Sequence, residues 1–162
     1  MRFVLLLILI LPLLMQASSI IEVRTKYYQS AVKESAADDF YKEMNSMDVS
    51  TNSVLLGYKG MAYMLQAKYS WNPYVKLSSF NTGKDFLEQA IASDSNNIEL
   101  RFLRFCIQEN APSMLNYGSN ISEDKKLILA TWKGVKDQDL KLKIKNYFME
   151  SNSVTVKERS EL

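Results

Sequence analysis

The chain has 162 residues, 20 Lys and Arg against 18 Asp and Glu, a formal net charge of +2, one cysteine and no histidine. So even a charge gives no electrostatic case for nucleic acid or for an anionic membrane surface. One cysteine excludes an intrachain disulfide and the multi-cysteine zinc frameworks. The lack of histidine removes Ser-His and Cys-His nucleophile pairs, leaving carboxylate, lysine or tyrosine chemistry.

The chain opens on "MRFVLLLILILPLLMQASS", with Arg2, an apolar run from Phe3 to about Met15, and small residues at Ala17 and Ser19. This pattern reads as a cleaved secretory signal over residues 1–19, since the run falls short of the roughly 20 residues a bilayer span needs. No cysteine follows it to take a lipid, so no stable membrane anchor is expected after cleavage. The mature chain then starts near Ile20 with a net charge of about +1. Sparing cysteine use fits a bacterial periplasm, with an extracellular location as the alternative.

Residues 20–150 are expected to form one all-α domain of about six helices. Ile21, Tyr28, Val32, Ala36, Phe40 and Met44 recur mostly at fours and predict a helix over Ile21 to Met47. A second is expected from Thr51 to Tyr69. Asn72 before Pro73 is a cap with proline at the first helical position, and Leu77, Phe80, Leu87 and Ile91 mark an inner face after it. Asn96 with Glu99, and Asn120 with Glu123, have capping-box spacing, so helices are expected from Ile98 and Ile121. "DLKLKIKNYF" alternates like a strand over Leu140, Leu142 and Ile144. Leu140, Ile144, Tyr147 and Phe148 also share one helical face, and helix is the better reading because no partner strand is in sight. Residues 151–162 have little to bury and read as a flexible tail.

"LLGYKGMAYML" resembles the first helix of a tetratricopeptide (TPR) repeat, with Leu56 at the bulky position, Gly60 at the small one and Tyr63 three residues on. "GKDFLEQAIASDSNN" resembles the second helix and exit turn, with Gly83, Leu87 and Ala90 in the small and bulky places. Lys59 and Ser95 depart from the pattern, and "SWNPYVKLSSF" lengthens the unit. The resemblance implies antiparallel helix hairpins stacked as an irregular TPR-like bundle, with Gly60, Gly83 and Ala90 allowing close approach. The chain is also similar to small exported helical proteins of Bacteroidetes-type bacteria, which implies location and no mechanism.

Two arginines interrupt the apolar run "IELRFLRFCIQENAP". At 100° per residue, Arg101, Arg104 and Gln108 form a ridge about one sixth of the helix circumference wide. Either the ridge pairs inside the bundle, with Asp124, Glu123 and Glu88 as partners, or it lines a groove that receives a carboxylate or phosphate. The repeat register favours the first. Tyr69, Trp71, Tyr74 and Phe80 form a second cluster, which either folds back over an open end of the stack or binds a peptide or glycan through Trp71 and Tyr74. Cys106, among Phe102, Leu103 and Phe105, reads as a buried inert thiol. Asn120-Ile121-Ser122 is a glycosylation sequon that doubles as a helix start, and Lys141, Lys143 and Lys145 read as a solvated face.

These features imply an exported, non-catalytic module that binds a protein or peptide, or supports an envelope assembly, with no cofactor and no metal. The alternatives are a small-ligand carrier with a pocket between helices, and a carboxylate-based cell-wall glycan hydrolase drawing on Asp38, Asp39, Glu123, Asp124, Asp137 or Asp139.

Overall fold

A computed structural model describes residues 20–162, so the expected signal segment lies outside the described residues. Those residues are all-helical and contain no strand. In chain order the helices are α1 (20–30), α2 (Glu34–Ser46), α3 (Ser53–Tyr69), α4 (Pro73–Ser93), α5 (Ile98–Asn110), α6 (Ile121–Thr131), α7 (Gln138–Glu150) and α8 (Val156–Arg159). Single 3-10 turns follow α5 and α6 at Ser113–Leu115 and Trp132–Gly134. The chain divides into two compact units, one ending at Phe86 and one running from Leu87 to Leu162.

In the first unit, the single helix expected over Ile21–Met47 is two helices broken at 31–33. Carbonyls freed at the end of α1 find donors on α3: Lys68 Nζ reaches Ala31 O at 2.6 Å, and Tyr69 Oη donates to Ala31 O and Ser30 O. Lys33 is extended at φ −142° and starts α2. The period of four runs through this break by coincidence, since Val32 is 85% exposed. Asn52 caps α3 by accepting from Leu55 N, and α3 is then buried on nearly all sides. Gly83 of α4 lies against it: a Cβ there would sit 2.6 Å from Gly60 O and 2.8 Å from Met64 Cγ. Only glycine permits that approach.

The start of α4 departs from expectation. Asn72 Oδ1 accepts from Tyr74 N and Val75 N ahead of Pro73, as the cap predicts. Phe80, Leu87 and Ile91 are buried, but Leu77 is not, and every residue from 71 to 78 is exposed. Of the four aromatics of the insert, Phe80 is buried and Tyr69 packs half-buried against the end of α1, whereas Trp71 and Tyr74 do not fold back over the stack.

In the second unit, Asn97 rather than Asn96 caps α5, accepting from Glu99 N and Leu100 N. Asn120 makes no side-chain cap on α6 and instead donates from Nδ2 to Glu123 Oε2 at 3.3 Å. An apolar core joins Phe102, Phe105, Ile128, Trp132, Leu140, Ile144 and Phe148, with Cys106 against its edge. The segment read as a flexible tail docks on this core through Val154. Polar groups fasten it: Ser151 Oγ and Ser153 N donate to Glu109 Oε1 at 2.6 and 2.9 Å, and Lys125 Nζ donates to Ser153 O. Thr155 and Glu158 close a capping box on α8.

Candidate functional site

The ridge on α5 meets the three carboxylates expected for internal pairing. Arg104 grips Asp124 through one edge of its guanidinium, Nε to Oδ2 and Nη2 to Oδ1, each at 2.7 Å. Its Nη1 donates to Glu88 Oε2 at 2.7 Å. Arg101 Nη1 donates to Asp124 Oδ1 and Glu123 Oε1, both at 2.8 Å, and its Nε donates to Ser95 O. Asp124 is fully buried and accepts three charge-assisted bonds.

Local structure places each member. Arg101 and Arg104, one turn apart on the capped α5, share a face. Glu123 and Asp124 sit in the first turn of α6, where the helix dipole also favours negative charge. Gln108, the third ridge residue, holds that helix start: its Oε1 accepts from Asn120 N at 3.2 Å and its Nε2 donates to Asn120 Oδ1 at 3.4 Å. Asn116, left-handed at φ 47°, ends the 3-10 turn and delivers Tyr117, whose hydroxyl donates to Glu88 Oε1.

The electrostatics follow from burial and pairing. Burial works against the charge of Arg104, but the hydrogen bonds and charges of Asp124 and Glu88 outweigh it and raise the guanidinium above its ordinary value. Burial, then the Glu88 bond, pushes the Tyr117 phenol up, so it stays a donor. Glu123, half out in water, is held below its usual range first by the Arg101 bond and then by Asn120. Among the described residues the buried side-chain polar atom left without a hydrogen-bond partner is Arg159 Nε, outside this cluster. A network satisfied in this way rigidifies its two helices.

The other sequence candidates scatter. Trp71 is 97% exposed and Tyr74 84%. Cys106 is half-buried, and burial, then the Glu109 charge, pushes its thiol well up. Asp38 accepts from Gln66, Asp39 pairs with Lys42, Asp137 caps α7 and Asp139 pairs with Lys143. Among the described residues no group of three or more His, Cys, Asp or Glu is placed to hold a metal, and no helix is long and apolar enough to cross a membrane.

Sequence reasoning missed a row of rings in the first unit. Tyr41 of α2, Tyr63 of α3 and Phe86 of α4 are half-buried and touch in series, with centroids 5.0 and 5.5 Å apart. Lys59 Nζ lies 5.4 Å from the Phe86 centroid, and Tyr63 Oη donates to Asn45 Oδ1. The signal was present in Tyr41 and Tyr63 but invisible without the helix pairing.

The fold and the cluster define an all-α chain whose central polar ridge is an internal ion network on α5 and α6. Comparison with protein-family models, curated proteins and solved structures finds no match to this chain.

Proposed function

We propose that the chain is an exported, TPR-like module of helix hairpins that binds a protein or peptide of the cell envelope, in the periplasm of a bacterium, and catalyses no reaction. The observation that carries this reading is the row Tyr41, Tyr63 and Phe86, half-exposed across three successive helices. Rings in a row offer a partner apolar contact at low entropic cost. The glycine contact between α3 and α4 supports the hairpin part, since small residues at helix crossings are how such repeats stack. Arg101, Arg104 and Gln108 are structural in this reading, because their polar groups are engaged within the chain.

A photoreactive residue in place of Lys59, expressed in the exporting cell, is expected to give a discrete protein adduct. The same residue in place of the exposed Lys136 is expected to give none. No adduct at position 59, or equal adducts at both, sinks the binding reading. Export is checked separately: mass spectrometry should find an N-terminus near Ile20, and an intact Met1 or Arg2 rejects it.

A further inference from the structure

The first unit ends in an apolar tip. Residues 71–78, the lead into α4 and its first turns, are exposed on every side, so this helix end projects beyond its neighbours. It carries Trp71, Tyr74, Val75 and Leu77. The α1–α2 turn, with its exposed Val32, is pinned to the same end by the Lys68 and Tyr69 bonds to Ala31 O. Exposed large apolar residues scattered singly are ordinary. A contiguous set on a projection marks an interaction site.

Charge names the occupant. The even net charge conceals a local asymmetry, since from Val49 to Lys84 the sequence has four lysines and no Asp or Glu. Lys68 and Lys76 flank the aromatic tip and Lys33 follows Val32, all three exposed, against the single carboxylate of Glu34 in that turn. Trp and Tyr favour the headgroup level of a bilayer, where the ring is buried and its polar edge stays wet, and lysines around them are drawn to anionic lipid. We propose that this tip docks reversibly on an anionic lipid surface, with Trp71 and Tyr74 inserted at headgroup depth and Lys33, Lys68 and Lys76 on the phosphates. The contact is peripheral, and it is independent of the ring row through which the module binds its peptide.

Intrinsic fluorescence reads this site because the chain has two tryptophans, and Trp132 is already buried in the second core. The purified chain, its N-terminus established by mass spectrometry, is mixed with vesicles of phosphatidylglycerol and phosphatidylcholine, then with phosphatidylcholine alone. Anionic vesicles should shift Trp71 emission to the blue and bring it within quenching range of acyl-brominated lipid. Trp71→Phe should abolish both signals. Lys76→Glu should raise the lipid concentration for half-maximal shift by roughly tenfold or more, as should high salt. Trp71 emission unchanged by anionic vesicles overturns the proposal. So does an equal shift with neutral lipid, which leaves charge no role. Loss of the Lys59 protein adduct in Trp71→Ala, with vesicles leaving Trp71 untouched, assigns the tip to a protein instead.

Discussion

Two regions of this chain invert the usual partition of residues, and they do so for opposite reasons. On α5 two arginines are buried, and at the start of α4 a tryptophan and a tyrosine are left in water. The buried charges are matched within the chain by Asp124, Glu123 and Glu88. Desolvating a guanidinium is tolerable only with such partners, and a filled network fixes the register of α5 on α6. The exposed rings have nothing of the described chain over them, and the folded state gains little from leaving them there. Buried polarity here serves structure, whereas exposed apolarity points to a surface outside the chain.

The largest expected effects break the first half of that contrast. Arg104→Ala leaves the fully buried Asp124 with Arg101 as its one remaining cationic partner and Glu88 with only the Tyr117 hydroxyl, and Asp124→Ala takes two of the three carboxylate bonds from Arg104 and one of two from Arg101. Each should cost about 3 to 5 kcal/mol in urea unfolding. Arg104 should be the worse arginine to lose, with three bonds to carboxylates against two for Arg101. Arg104→Lys should also fail, since an ammonium cannot reproduce the fork. A wild-type melting curve for Arg104→Ala would show that the buried network contributes nothing.

Gly83→Ala sharpens the contrast within the first unit. Helix propensity alone predicts a gain of about 1 kcal/mol, but the new Cβ meets Gly60 O, a backbone atom that cannot swing aside. The expected outcome is a net loss of roughly 1 kcal/mol or more, against the 1 to 3 typical of overpacking. Stabilisation in a thermal melt would mean that α3 and α4 part freely.

Acid tests a smaller polar tie in the second unit. Burial works to raise the Glu109 carboxyl, but hydrogen bonds from Ser151 and Ser153 outweigh it and hold it below the usual glutamate range. A depressed carboxylate contributes stability that is present above the unfolded value and lost as pH falls through the folded one. Stability should therefore decline below about pH 4.5, through the window set by Glu109 and by Glu123 and Glu158, which are lowered likewise. Glu109→Gln should shallow that decline in denaturant titrations at stepped pH. An unchanged slope would detach the docked tail from this carboxylate.

The smallest expected effect completes the comparison. Trp71→Ala should leave the melting curve within about 0.5 kcal/mol of wild type, as surface changes do. A loss of several kcal/mol would mean that the ring is part of the fold and not of a docking tip.

Much was legible from the sequence by itself. Helical periodicity, Asn72 before Pro73, and the ridge of Arg101, Arg104 and Gln108 depend on residues within one or two turns of each other. Local backbone chemistry therefore determined most helix starts and the all-α class. Even the carboxylate partners followed from the cost of burying a guanidinium. Only the tertiary structure decided the rest. The break at Ala31 exists because α3 brings Lys68 and Tyr69 to its carbonyls, the tail docks because Glu109 and Lys125 meet its polar groups, and the rings of Tyr41, Tyr63 and Phe86 touch only once their helices pack. Each depends on groups tens of residues apart in the chain, and no local pattern encodes a contact whose partner is set by packing.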